Sequence, residues 1–146
     1  MQAQQLTDFL IQELHRLVAA NRSTRAVLAA MRQKATDRIL SATIERFEYI
    51  CEEEGRLLTW LLAEQGEDDT PSESRPVQVM AKDGWLATSE QDDQLRDLVI
   101  ASVTTQLQSY HLATWFGVGA WLRVLQLHDE ADIVDQGCRA LRQVER

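Results

Sequence analysis

TQLQSYHLATWFGVGAW, residues 105–121, sets Gln108, Ser109 and His111 beside two tryptophans and two glycines, with no proline in the run. At the 3.6-residue period, Gln108, Leu112, Trp115, Val118 and Leu122 share one helix face. That helix buries amide and imidazole groups along with its apolar ones. The same stepping, followed backwards, takes in Leu95, Leu98, Ser102 and Thr105. The reading is therefore a helix over 89–125, with Thr88 or Ser89 as N-cap and acids in its first turn.

Polar groups interrupt two other apolar stripes in the same way. Leu6, Leu10, Leu14, Leu17, Leu28 and Met31 fall on steps of three or four, and the stepping between them lands on Asn21 and Thr24. This predicts a first helix over 5–34, with Thr7 or Asp8 near its cap. Leu40, Thr43, Phe47, Ile50, Leu57 and Leu61 form a second stripe, over 37–65, with Glu54 at its centre. Asp37 suits the start of that helix and Gly66 its stop. GEDDTPSESRP, 66–76, reads as an acidic loop. A short helix over 77–84 follows, ended by Gly84, with Trp85 returning to the core. A last helix over 129–145 turns Ile133, Val134, Cys138 and Leu141 inward.

Two helical hairpins joined by a longer middle connection make an all-α, ferritin-like four-helix bundle with one crossover. The 146 residues form one domain, 1–146, large enough to bury a single core. A net charge of −8 and scattered basic residues argue against nucleic acid as a partner. No stretch approaches the roughly 20 apolar residues that span a bilayer, and no signal-peptide pattern opens the chain. Cys51 and Cys138 lie in apolar helical patterns without paired spacing, as buried reduced thiols of a cytoplasmic protein do.

Chemistry, if present, belongs to the polar layer. Hard metals such as iron or manganese need inward carboxylates on several helices. The stripes offer one carboxylate, Glu54, and one imidazole, His111, with neutral amides at positions 21 and 108. Amides are cheaper to bury than ionised acids when each is paired, so a hydrogen-bonded layer that sets helix register is the simpler expectation. Glu54 then calls for a partner, and His111 is the one at hand. No phosphate-binding loop, dinucleotide fingerprint, nucleophile elbow or zinc helix occurs. In WFGVGAW, 115–121, Gly117 and Gly119 flanked by Trp115 and Trp121 suggest close approach by another helix, of this subunit or of a second one.

Several strings resemble the YciE/YciF-type branch of the ferritin-like superfamily: FLIQELHRLVAANR (9–22), ERFEYICEEEGRLLTWLL (45–62), VQVMAKDG (77–84) and QLQSYHLATWFGVGAWLRVL (106–125). The resemblance implies a small helical protein, dimeric, bacterial and associated with stress, built around a di-iron-type centre. By it, the first-helix carboxylate falls at Asn21, the second-helix Glu and His at Ile50 and Glu54, and the third-helix acids at Gln108 and His111. The fourth-helix acids fall at Gln136 and Ala140. Only Glu54 and His111 keep ligating atoms suited to a metal.

The leading expectation is a non-enzymatic homodimer with a degenerate, metal-free centre and a stress-associated structural or interaction role. The alternatives are a divergent di-iron or manganese oxidase or iron-handling protein, and an adaptor or immunity-type protein with an unknown partner.

Overall fold

The computed structural model describes residues 2–68 and 74–145. Residues 69–73 of the expected acidic loop lie outside the described residues, as do both terminal residues. The elements are α1 (Ala3–Lys34), α2 (Arg38–Glu64), α3 (Arg75–Ala87), α4 (Asp93–Val124), α5 (His128–Arg142) and a closing 3₁₀ turn, Gln143–Glu145.

Local hydrogen bonds fix these boundaries. The first helix begins ahead of Thr7 and Asp8, where the backbone N–H of Gln2 donates to Gln5 Oε1 at 3.3 Å. Asp37 caps α2 by accepting from the Leu40 N–H at 2.8 Å. Asp92, not Thr88 or Ser89, caps α4, by accepting from Leu95 N–H at 2.8 Å. The hydroxyls of Thr88 and Ser89 donate backwards, to Trp85 O and Leu86 O, and so finish α3.

Two helix ends share one geometry. After α2, Gly66 takes φ 73°, with Gly66 N–H donating to Ala63 O and Glu67 N–H to Leu62 O. After α4, Gln126 takes φ 62°, with Gln126 N–H donating to Arg123 O and Leu127 N–H to Leu122 O. Both are Schellman closures, one built on glycine and one without it.

Gly84 sits inside α3 rather than ending it. A Cβ there would lie 2.8 Å from Val27 Cγ2 and 3.1 Å from Met31 Sδ, so glycine lets α3 press against α1. Trp85, expected in the core, is 48% exposed on the far side of that helix.

Side-chain contacts give the helix directions. Asn21 reaches Cys51 and Arg32 reaches Glu48, so α1 and α2 are antiparallel. Thr36 meets Asp97 and Glu54 meets His111, so α2 and α4 run parallel. Gln108 meets Leu141 and Arg123 meets Asp135, so α5 returns antiparallel to α4. A parallel pair linked by a crossover helix is the ferritin-like connectivity, and the fold is an all-α bundle of that kind. One apolar core joins the helices, with Leu14, Leu28, Phe47, Leu61, Ile100, Leu107, Val134 and Leu141 among its buried members. Burying each such side chain contributes roughly 1.5–3 kcal/mol.

The fourth corner of the bundle is short. With 15 residues, α5 covers about half of the 32-residue α4. Leu95, Leu98, Ser102 and Thr105, expected inward, are exposed: Leu98 and Thr105 border the gap that α5 leaves, and Leu95 and Ser102 edge the seam with α3. The N-terminal half of α4 instead buries Ile100, Val103, Thr104 and Leu107, the face turned to α1 and α3. On α5 the buried set is Ala131, Val134, Cys138 and Leu141, and Ile133 is half exposed.

Candidate functional site

Midway along the bundle, the polar interruptions of three helices meet. His111, with no exposed surface, lies between Glu54 of α2 and Thr24 of α1. Its Nδ1 is 2.7 Å from Glu54 Oε1, and its Nε2 is 2.8 Å from Thr24 Oγ1. With an ionised Glu54, Nδ1–H donates to the carboxylate, and Nε2 of the neutral ring accepts the threonine hydroxyl. Phe47 meets the imidazole edge-on, ring centroids 5.8 Å apart. An apolar wall around a charged hydrogen bond strengthens it and leaves no water to compete.

The two amides do something different. Asn21 Nδ2 donates to Cys51 O at 2.8 Å, tying α1 to the backbone of α2 one turn before Glu54. Gln108 Nε2 donates to Leu141 O at 2.6 Å. Leu141 lies in the last turn of α5, where carbonyls have no partner within the helix, so Gln108 caps α5 from α4. Thr104 returns its hydroxyl to Ile100 O at 2.7 Å. Each neutral polar group here satisfies a backbone carbonyl or another side chain.

Glu54 Oε2 is the exception, buried without a hydrogen-bond partner. Its charge, together with the stronger effect of burial, pushes the Cys51 thiol well above its ordinary value. Burial likewise raises Cys138, with Asp135 adding to it. Both cysteines are unpaired and buried, and so unreactive as nucleophiles.

Of the seven positions assigned to a centre, four are buried: Asn21, Glu54, Gln108 and His111. Gln136 is exposed on the outer side of α5, while Ile50 and Ala140 are only half-buried. The fourth helix therefore sends no polar side chain inward at that level. Thr24 joins the layer although no metal pattern includes it; its signal was its place one turn after Asn21. Among the described residues, no three His, Cys, Asp or Glu side chains stand where they could hold one ion. A pair of di-iron-type cations does not fit this donor set, because one carboxylate cannot neutralise them.

The glycine–tryptophan segment is used largely within the chain. Trp115 is buried, and Gly119 faces α5, where an added Cβ would meet Val134 Cγ1 at 3.5 Å. Trp121 packs on Phe9, ring centroids 6.2 Å apart. Gly117 is exposed, with open space around it. Among the described residues, no helix is long and apolar enough to cross a membrane.

A family profile described as a domain of unknown function, DUF892, matches residues 5–143. No curated protein matches the sequence. Among solved structures, the chain is similar to YcfI from Rhodopseudomonas palustris, at 17% identity and a TM-score of 0.87. It is similar to the same degree in fold, TM-score 0.87, to the E. coli stress protein YciF at 11% identity. Each alignment covers 95% of this chain and 89% of the other. At such identities the likeness speaks for the fold alone. With nearly its whole length matched, the chain belongs to the DUF892 family, and its fold is the one that YcfI and YciF share.

Proposed function

We propose that this chain is a non-enzymatic, stress-associated structural protein whose bundle centre is closed by hydrogen bonds where its resemblance implies metal ligands. One observation carries the reading: the donors at the centre are already committed to one another. Both ring nitrogens of His111 are taken, by Glu54 and Thr24, and the amides of Asn21 and Gln108 are spent on backbone carbonyls. Satisfied at every polar atom named here but Glu54 Oε2, such a network fixes helix register without a cation. The stress association is carried over from the description of YciF, and a structural role is attributed to YcfI. Two buried free thiols suit a reducing, cytoplasmic setting.

Elemental analysis of protein expressed with added iron and manganese tests the reading. Metal far below one ion per chain is the expected result; about two tightly held ions per chain would overturn it.

A second reading, a divergent di-iron or manganese oxidase or iron-handling protein, draws on the unpartnered Oε2 of Glu54, a carboxylate oxygen free to take a ligand. Fe(II) oxidation that disappears in Glu54→Ala supports it. Absence of oxidation by the unmodified chain counts against it.

A further inference from the structure

On the outer seam between α1 and α2, beside the polar layer, lies a groove of about 630 Å³. Arg22 and Arg25 of α1 and Arg56 of α2, all exposed, stand along it. On a chain of net charge −8, this lining sets three guanidiniums against one carboxylate, Glu52. The acids on either side are engaged elsewhere: Glu48 accepts from Arg32 Nε at 2.6 Å, and Glu53 accepts from Arg56. A guanidinium carries five donors in a planar fork, so Arg56 keeps others for a ligand.

Asn21, only 4% exposed, forms the floor. Its Nδ2 is spent on Cys51 O, while its Oδ1 accepts from no described residue. Gly55 keeps that oxygen open, since a Cβ there would lie 3.4 Å from it. A buried acceptor below and guanidiniums above call for two chemistries in one molecule: a hydroxyl that donates inward and an anion that faces the rim. Glu52 adds a second acceptor, which a hydroxyl satisfies and a bare anion opposes. A phosphate monoester, with a charge of about −1.5 to −2 near neutral pH, answers three guanidiniums better than a single carboxylate does. The volume also falls within the range of about 300–1,000 Å³ usual for small-molecule sites.

We propose that this groove binds a sugar phosphate. Its hydroxyls donate to Asn21 Oδ1 and Glu52, and its phosphoryl oxygens accept from Arg22, Arg25 and Arg56.

Titration calorimetry of the full chain with glucose 6-phosphate, inorganic phosphate, gluconate and glucose tests this. Glucose 6-phosphate binds saturably, one molecule per chain, and about tenfold or more tighter than each of the other three. Arg25→Gln weakens that binding by about tenfold. Gly55→Leu, which fills the groove and favours the helix, abolishes it with helical circular dichroism unchanged. Arg16→Gln, the same loss of charge on α1 outside the groove, leaves it as it was. A chain that does not bind glucose 6-phosphate saturably overturns the proposal. So does inorganic phosphate or gluconate that binds as tightly, undiminished binding by Gly55→Leu, or equal weakening by Arg25→Gln and Arg16→Gln.

Discussion

Glu54 and His111, separated by 57 positions in sequence, meet at 2.7 Å in an interior where His111 has no exposed surface. Their contact locks the parallel pair α2 and α4 at a single register. Removing one partner leaves the other buried and uncompensated. His111→Ala, which strands the buried carboxylate, should cost about 3–5 kcal/mol of unfolding free energy, and Glu54→Ala, which leaves a neutral ring short of one partner, about 1–3 kcal/mol. Replacing both by leucine should cost clearly less than the two single losses together, because no orphaned charge remains. Chemical denaturation of the three variants measures the coupling. Strict additivity would mean the pair does not act as a unit.

Asp97 ties the start of α2 to α4. It accepts from Thr36 Oγ1 at 2.6 Å, Thr36 N–H at 2.9 Å and Asp37 N–H at 3.1 Å. The Thr36 hydroxyl, then the backbone donors, hold its carboxyl below the ordinary value of 3.8. A group with a lowered folded value contributes stability above its unfolded value and loses it as pH falls through the folded one. Asp97→Asn should thus cost about 1 kcal/mol or less at neutral pH, given the partial exposure of the site. The deficit should shrink as pH drops below about 4. Urea midpoints of both proteins at the two ends of that range decide it, and a deficit independent of pH would count against the assignment.

Cys51 gives the opposite sign. Burial, then the charge of Glu54, lift its thiol well above 9.0, so the folded state favours the neutral form. Its contribution is complete at neutral pH and fades as pH rises past the unfolded value. Stability should decline above about pH 9, less steeply in Cys51→Ala. At neutral pH, alkylation of Cys51 should be slow in the native protein and accelerate in step with urea unfolding. Rapid native labelling would show the thiol to be accessible.

Two closures of the same shape supply a paired experiment. Gly66→Ala forces a Cβ into the left-handed region and should destabilise by about 1 kcal/mol. Gln126→Gly relieves that strain after α4 and should stabilise by about 0.5 kcal/mol, the entropy of the unfolded glycine offsetting part of the gain. Shifts in denaturation midpoint of opposite sign are expected; shifts of the same sign would undo the comparison.

These residues also mark what a sequence can reveal. Gly66 announced the end of α2, because glycine is the residue that a left-handed closure favours. Gln126 announced nothing, since that bend is imposed by the docking of α5 and not by local preference. Asn21, Glu54, Gln108 and His111 stood out as polar steps in apolar stripes, a signal strong enough to bring them to one level. Gln136 and Ala140 followed no such stripe, and the packing leaves the first exposed and the second half-buried, while Ile50 of the second stripe packs half-buried against the core without a ligating atom. The stripe through Leu95 and Leu98 was sound as a period and misleading as a direction. Which face of α4 meets a neighbour depends on where α1 and α3 dock and how far α5 extends, and that is a property of the assembled bundle. Asp92 was passed over as a cap because Thr88 and Ser89 come earlier with equally suitable side chains.

Thr24, His111 and Glu54 line up as hydroxyl, imidazole and carboxylate, the sequence of groups with which acyl-transferring hydrolases activate a nucleophile. Here Thr24 and His111 are wholly enclosed, so no carbonyl compound can come within bonding distance of the threonine oxygen. Enclosure is what separates this row of groups from solvent and from anything dissolved in it.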